Sequence, residues 1–591
     1  MVMKKSFLLG LRLFKNHFAR FFTVLVIVFV SVGFMSGVGE ADNTLRKKTN
    51  EMYATQNVSD LYLKSKRATG FSAAEIAEIE NLYGVDNIMK TFCAEFVQSG
   101  KITRVYTLNF KENNINKIEL LEGHLPQNEF EILVERKTKL YKSANIGDSL
   151  TINGVTYTVT GIVKNPLLMH KEREYAYTKS GKVSQVVYIN SENLTKINDI
   201  YVTLEDRTLF NFLSEEYEEK IAFEKENITL KLGDSKVLVV TLFQNIGLNS
   251  VKAYTSMIGE LCDVFVVFFL LITLLVVYST MYRLLDEERN QIACQKTLGY
   301  SNLSIVSRYV FFVFVANVVG SLLSFGVGLL LTRLIYDGVG VHHGLPEVGS
   351  TICYSYYLFT FSLIVIATCL LTLLTGLKLA SKKPSDLLQH KMSEVKKKVL
   401  IERIPFIWNP LKFRYKSTLR NIFLFKSRFF MTVISIIGSS VMVMAGLGLY
   451  DCINDYKEME AIVAVAVLVI VFSAILSLLV ICNITNINIS ERRREIATLM
   501  VLGYRNKEIT GYIFREVYMM CLLGVVLGLP CGRWFLMYVF DLLGFGNIQE
   551  IGSWVWISSP IIIMFFSFLA TLILRPKILN IDMNTSLKSN E

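Results

Sequence analysis

Residues 287–293 read Glu-Glu-Arg-Asn-Gln-Ile-Ala, and residues 298–302 read Leu-Gly-Tyr-Ser-Asn. The pattern returns 204 positions later, as Glu-Arg-Arg-Arg-Glu-Ile-Ala at 491–497 and Leu-Gly-Tyr-Arg-Asn at 502–506. Nine of the nineteen positions from 287 to 305 hold the same residue in both copies. Unrelated loops do not share so many positions without a gap, so the chain contains an internal repeat.

Long apolar segments surround both copies. Hydrophobic residues make up 52% of the chain and charged residues only 19%, whereas soluble proteins carry about 25% charged residues. A helix needs about 20 apolar residues to cross a bilayer. Eight segments meet this length: 21–40, 261–282, 308–332, 355–377, 429–449, 461–483, 514–537 and 554–574. We therefore predict an α-helical polytopic membrane protein with eight transmembrane helices.

The repeat also extends to the start of each half. Leu11-Arg12 and Arg20-Phe21-Phe22 recur 408 positions later as Leu419-Arg420 and Arg428-Phe429-Phe430. The first half is longer by about 200 residues, all between its first and second spans, which predicts two four-helix repeats with one inserted domain. The predicted parts are 1–42 (amphipathic N-terminus and first span), 43–255 (inserted domain), 256–378 (spans two to four, with a charged loop at 284–306), 379–426 (basic linker), 427–577 (spans five to eight, with a charged loop at 485–510) and 578–591 (tail).

Basic residues between the spans predict the sidedness. The connector 379–428 holds thirteen Lys and Arg against three acids, while 334–354, 450–460 and 541–553 together hold one lysine. Basic loops stay in the cytoplasm, so we expect both termini there and residues 43–255 outside. The net charge of +11 follows from this distribution, and we expect no nucleic-acid partner.

Small residues recur at four-residue spacing in the third helix of each half. They are Gly320, Ser324 and Gly328, and Gly524 and Gly528. This spacing predicts a face that packs closely on another helix. The apolar centres of the spans carry no charged residue, which weighs against an ion-coupled carrier. Pro530 is a candidate break in one helix, with no counterpart in another span.

The inserted domain has mixed α+β patterns. Helices are predicted at 73–83 and 209–221, a strand at 237–243, and a rigid stalk at 244–260. The alternating stretch 149–163 has Asn153-Gly154 at its centre, which predicts a hairpin with a type I′ turn. We find no catalytic constellation and no metal site, because the nine cysteines form no Cys-x-x-Cys pair and His124 and His170 are isolated.

The two charged loops each predict a short amphipathic helix that ends at Leu-Gly-Tyr. Gly299 and Gly503 fit left-handed helix caps. Such a helix either docks into a partner's groove or lies on the membrane without a partner, and its duplication favours a two-fold partner. The chain has no Gly-x4-Gly-Lys-Ser/Thr phosphate loop, so an ATP-driven role requires a separate ATPase.

The loop pattern and the Leu-Arg-x7-Arg-Phe-Phe entry resemble the FtsX-like permease family, in the MacB-type (type VII) superfamily of ABC transporters. The stretch Leu121–Pro126 with Glu131–Val134 and Ile146–Asp148 also resembles the MacB-type extracytoplasmic domain. The resemblance implies a non-catalytic permease subunit in a bacterial cell membrane. It assigns coupling to the ATPase to Glu287, Arg289, Ile292, Leu298, Gly299 and Tyr300 in the first loop, and to Glu491, Arg493, Ile496, Leu502, Gly503 and Tyr504 in the second.

The resemblance also implies the partners. A separate cytoplasmic ABC ATPase, in two copies, would bind the ATP and Mg, with no cofactor in this chain. Asn290-Gln291 replaces the commoner Arg-Glu pair in the first loop, which argues against equally strong binding of the two loops to the two ATPase copies. The expected role is mechanotransmission that exports or extracts an amphiphile, lipid or peptide, as in antimicrobial-peptide resistance. An ATP-driven sensor or regulator of signalling or cell-wall hydrolases stays open, as does a further extracytoplasmic or membrane partner.

Overall fold

The structure is a computed structural model, and it describes residues 13–98, 101–136, 144–168, 175–177, 181–343, 345, 353–388, 413–424, 426–455, 460–544 and 546–581. The chain divides into a membrane unit (residues 1–41, 257–335 and 352–591) and a sheet unit (residues 42–256 and 336–351). Most of the predicted basic linker and tail, and His170, lie outside the described residues.

Eight helices in the described part of the chain are long and apolar enough to cross a membrane, which confirms the predicted polytopic fold. In the first half they are α1 (Phe18–Thr55), α4 (Ile246–Glu287), α6 (Asn302–His343) and α7 (Ser355–Ala380). In the second half they are α10 (Lys426–Asp455), α11 (Glu460–Glu491), α13 (Asn506–Leu543) and α14 (Ser553–Leu579). Among the described residues of the same unit there are four shorter helices: α5 (Arg289–Thr297), α8 (Pro384–Leu388), α9 (Phe413–Leu424) and α12 (Arg493–Val501).

The two halves bury equivalent helices. In the most apolar stretch of α1 and of α10, 67% and 72% of the residues are buried, against 22% and 28% in α7 and α14. The first helix of each half is therefore a core helix, and the fourth presents apolar side chains outward, as a lipid-facing helix must. Polar contacts join the helices inside: Ser31 Oγ lies 2.7 Å from Thr273 Oγ1, and Asn483 Nδ2 donates to Thr280 Oγ1 at 3.2 Å across the two halves.

The small-residue stripes lie where the third helix of each half meets the first. A Cβ added at Gly320 would lie 2.7 Å from the Leu25 carbonyl oxygen of α1, and one added at Gly524 would lie 2.5 Å from Ile436 Cγ2 of α10. Further along, Gly328 faces Ser36 and Gly528 faces Ser440, while Ser324 is fully buried. Gly532, which the sequence prediction omitted, continues the second stripe against Met444.

Replacing Gly320 with alanine is expected to destabilise the full chain by about 1–3 kcal/mol, the usual cost of overpacking, because a backbone carbonyl cannot rotate away as a side chain can. The matched control is Gly326→Ala on the same helix, where an added Cβ meets nothing within 4 Å. Removing that helix-interior glycine should leave stability unchanged or slightly higher. Thermal unfolding of both variants in lipid nanodiscs tests this, and equal losses would contradict the close approach.

Pro530 does not break its helix, so the prediction of an interruption there is wrong. Helix α13 runs from Asn506 to Leu543 with Pro530 inside it. Membrane helices tolerate proline because neighbouring groups satisfy the backbone that it frees.

The sheet unit is α+β, as predicted. Its strands are β1 (Leu61–Ser65), β2 (Val85–Gln98), β3 (Lys101–Leu108), β4 (Glu119–Gly123), β5 (Glu131–Glu135), β6 (Ser149–Ile152), β7 (Val155–Lys164), β8 (Gln185–Asn190), β9 (Asp199–Leu204) and β10 (Val237–Thr241). They form one sheet in the order β10-β1-β9-β2-β3-β8-β5-β7-β4, with β6 on β7. The β3–β8 and β5–β7 pairs are parallel and the others antiparallel.

Local predictions for this unit were mostly confirmed. Strands β6 and β7 form the predicted hairpin, and Asn153 (φ 50°) and Gly154 (φ 84°) make the left-handed pair that a type I′ turn requires. Helix α2 (Ala73–Glu80) also lies where expected. The helix predicted at 209–221 was placed too early: Ser214 accepts a hydrogen bond from the Tyr217 N–H, and this cap starts α3 (Glu215–Leu232).

Candidate functional site

The two charged loops fold into equivalent nine-residue helices, α5 and α12, displaced by the 204-residue repeat. Both end in a Schellman motif. Gly299 (φ 85°) donates its N–H to the Lys296 carbonyl at 3.1 Å, and Tyr300 donates to the Gln295 carbonyl at 3.2 Å. In the second loop Gly503 (φ 82°) and Tyr504 make the same two bonds, both at 3.1 Å. The predicted glycine caps are therefore confirmed.

The caps leave an apolar point exposed at the end of each helix. Leu298 is 76% exposed and Leu502 is 68% exposed. Tyr504 is exposed beside Leu502, while Tyr300 is half-buried. Single exposed apolar side chains are ordinary on protein surfaces, so the informative feature is that the same leucine is exposed at the equivalent position of both repeats.

The two isoleucines that the resemblance assigns to ATPase coupling have the opposite orientation. Ile292 and Ile496 are both buried, as are Ala293 and Ala497 beside them. Ile496 belongs to a core cluster with Ile489 of α11 and Ile513 of α13. These residues hold each short helix against its own bundle.

The first loop is also tied to the end of α7. The Lys296 ammonium donates to the carbonyls of Ala380 at 2.5 Å and Lys382 at 2.6 Å. The last carbonyls of a helix lack partners within the helix and carry partial negative charge, so a lysine satisfies them well. The second loop has Met500 at the equivalent position, and a methionine cannot donate these hydrogen bonds.

The end of α4 is tied to the start of α1. Glu287 forms an ion pair with Arg20, and Glu288 Oε1 lies 2.9 Å from His17 Nε2. Glu287, which the resemblance assigns to ATPase coupling, is thus already paired within the bundle. Arg289 is half-exposed and Arg493 exposed. The side chain of Glu491 lies outside the described part.

A buried ion pair that the sequence analysis did not predict joins the second loop to α13. Arg492 Nη2 lies 2.7 Å from Glu516 Oε2, with side chains only 4% and 1% exposed. Arg492 immediately precedes α12, and Glu516 lies in α13. The repeat does not predict this pair, because the first half has Glu288 and Phe312 at the equivalent positions. Glu516 lies at the edge of the predicted span 514–537 and has no acidic counterpart in the other half, which was the available signal.

Two segments of the chain, residues 264–384 and 467–583, match the family model described as FtsX-like permease C-terminal. The chain carries two FtsX-like permease domains. Each match includes one short loop helix and the membrane helices around it. The protein is therefore a multi-pass membrane permease component of the ABC-transporter type. No curated protein matches the sequence. Residues 43–255 fall outside the matched segments, so the MacB-type likeness of the permease stays a prediction.

Among the described residues, no group of three or more His, Cys, Asp or Glu side chains could hold a metal ion. FtsX-like permeases are generally non-catalytic membrane subunits. Each of the two loops presents an exposed leucine at the end of a capped helix.

Proposed function

We propose that the permease passes the work of a separate cytoplasmic ABC ATPase to its inserted domain. The observation that carries this proposal is the duplication of one exposed apolar point on two capped helices at equivalent places in the two repeats. A dimeric ATPase presents two equivalent grooves, and two equivalent helices fit them. ATP and Mg would then belong to that partner.

Topology supports a single docking face. The loops follow the second and sixth membrane helices, so an even number of crossings separates them and they emerge on the same side. The basic connector follows the fourth helix and shares that side, which the positive-inside rule assigns to the cytoplasm. Both termini would then be cytoplasmic and residues 43–255 extracytoplasmic.

Continuous helices would transmit the motion. Helix α4 has 42 residues and so spans about 63 Å at 1.5 Å per residue. Its last turn precedes α5, and its first turn follows β10 of the sheet unit. A displacement of α5 would thus be carried along one unbroken element. The cargo of such a machine, working outside the bilayer, would be an amphiphile, lipid or peptide.

The second candidate is an ATP-driven sensor or regulator in which the same motion controls an external partner without transport. The existence of a folded sheet unit between the first two membrane helices favours either role equally. An ion-coupled carrier is less favoured, because the apolar centres of the spans carry no charged residue.

Purification of the tagged full chain from its native membranes tests the proposal. We expect an ABC ATPase to copurify at two copies per chain and to hydrolyse ATP in nanodiscs. Release of a labelled amphiphile from the membrane on ATP addition would favour transport, whereas ATP-dependent binding of a sensor kinase or hydrolase would favour regulation. A preparation with no nucleotide-hydrolysing subunit, and transport that persists without one, would refute the coupling role.

A further inference from the structure

The sheet unit contains a cavity that the coupling role does not use. Its volume is about 390 Å³, within the range of about 300–1,000 Å³ that is typical of small-molecule sites. It lies beside β1, β10 and the residues that lead into α4. Five tyrosines line it: Tyr62, Tyr106, Tyr175, Tyr177 and Tyr201.

The wall of this cavity is an unusual sheet face. Tyr62 is paired with Tyr201 across β1 and β9, and the two rings stack at 4.9 Å. Lys64 and Asp199 are the next pair on the same face, since side chains two residues apart point the same way. Buried polar and ionisable groups cost stability unless they are well satisfied, and they concentrate at functional sites. A sheet face made of aliphatic side chains would stabilise the fold more than this polar one.

A buried ion pair positions two of the tyrosines. Arg104 Nη2 lies 2.8 Å from Glu95 Oε1, with both side chains at most 2% exposed. Arg104 also donates to the Tyr175 carbonyl at 2.9 Å, and Glu95 accepts from the Tyr177 N–H at 2.8 Å. The pair therefore fixes the backbone of residues 175–177 and holds their rings at the cavity.

The charges in the cavity select against a cationic ligand. Lys64 is the one charged residue among the described lining residues. Its ammonium lies 3.3 Å from the centroid of the Tyr177 ring, and the Arg104 guanidinium lies 4.1 Å from the same centroid. Because the protein's own cations occupy this ring, a ligand cation would meet repulsion there in place of a cation–π contact.

An acceptor group fits the same place. The ion-pair partner of Lys64, Asp199, lies 3.9 Å away, which is beyond hydrogen-bond distance. Burial also raises the pKa of Asp199, which weakens its hold on the lysine. The Lys64 ammonium can therefore donate to an anionic group in the cavity.

The rest of the lining is apolar and reaches the start of α4. Leu168, Leu238, Val240 and Leu242 contribute aliphatic surface. Asn245, also in the lining, accepts from the N–H groups of Gly247 and Leu248 at 2.9 and 3.2 Å and so caps α4. A molecule in the cavity would touch the residues that begin this helix.

We propose that this cavity binds a single-chain amphiphile with an anionic headgroup, with the headgroup at Lys64 and the chain among the aliphatic residues. The inference rests on the proposed function in one respect, which is that the bound molecule would be the cargo or the signal of the ATP-driven complex. Binding itself is measured without an ATPase, so the two proposals fail separately.

The probe is radiolabelled decanoate, measured by equilibrium binding to the full chain in nanodiscs with empty nanodiscs subtracted. We expect one saturable site per chain, and binding at least tenfold weaker for decyltrimethylammonium, which has the same chain and the opposite charge. Lys64→Gln, which removes the charge and keeps a polar side chain, should weaken decanoate binding about tenfold, and Lys64→Arg, which retains the charge, should keep most of it.

Leu238→Asp provides a second variant, since this half-exposed side chain lines the cavity and an aspartate there would repel the headgroup. Its matched control is Leu230→Asp, an exposed leucine of α3 outside the lining. We expect decanoate binding to be lost in the first and unchanged in the second. Equal binding of the two probes, or wild-type binding by both Lys64→Gln and Leu238→Asp, would overturn the inference.

Discussion

Replacing Leu298 and Leu502 with aspartate in the same chain is expected to abolish copurification of the ATPase and all ATP hydrolysis that depends on it. Both leucines are mostly exposed at the tips of α5 and α12. Burying a leucine in a partner's groove contributes about 1.5–3 kcal/mol, so losing two should weaken the complex about a hundredfold or more. Titration of the ATPase into the permease in nanodiscs measures this loss.

The single variants separate the two attachments. Each should retain partial binding, and a difference between them would report the unequal grip that Asn290-Gln291 suggests. Because both leucines are exposed and the buried anchors Ile292 and Ile496 are untouched, the membrane fold should survive. Leu230→Asp is the control for an aspartate at an exposed leucine elsewhere. Wild-type affinity in the double variant would rule out these helix ends as the docking points.

Replacing Glu516 with alanine is expected to release α12 from the bundle. The carboxylate is the buried partner of Arg492 at 2.7 Å, and removing one member of a buried pair costs about 3–5 kcal/mol because the remaining charge is left without compensation. Amides of residues 493–501 should then exchange with deuterium several hundredfold faster, since local opening becomes easier by that free energy. Hydrogen-exchange mass spectrometry of the full chain measures it.

The same arginine supplies the control. Glu495 lies 3.7 Å from Arg492 but is 57% exposed, so Glu495→Ala removes a solvent-screened pair that contributes at most about 1 kcal/mol. The double variant Arg492→Met, Glu516→Met should recover most of the protection, because apolar residues of similar size can replace a buried pair. Slow exchange in Glu516→Ala would mean that the pair does not hold α12.

Several features could be predicted from local patterns. The lengths of the eight apolar segments predicted the membrane helices. The 204-residue offset predicted two equivalent short helices, and the Asn153-Gly154 pair predicted the hairpin turn. Gly299 and Gly503 were predicted as caps because only glycine adopts a left-handed conformation without steric cost. Each of these depends on residues close together in the chain.

The orientation of the loop residues could not be predicted in the same way. Helical spacing placed Ile292 and Leu298 on one short amphipathic segment, yet one is buried and the other exposed. Leu298 lies six residues after Ile292, which at 3.6 residues per turn places it about 120° away from the face that Ile292 occupies. Which face of a short helix meets the bundle depends on the neighbouring helices, and these are distant in sequence.

By itself the sequence determined the number of membrane helices, their duplication, the inserted domain and the two capped loop helices, because hydrophobic length, repeat identity and glycine conformation act locally. Only the tertiary structure decided the partners of the isolated acids and cations. Glu40 accepts from the N–H groups of Tyr356 and Tyr357, and Asp451 accepts from Gly552, so each half's first helix caps its fourth. Lys296, Arg492 and Lys64 likewise find their partners only when distant segments pack together. Which opposite charge or polar group a charged side chain contacts depends on where the two lie in the folded chain. No local sequence pattern contains this information.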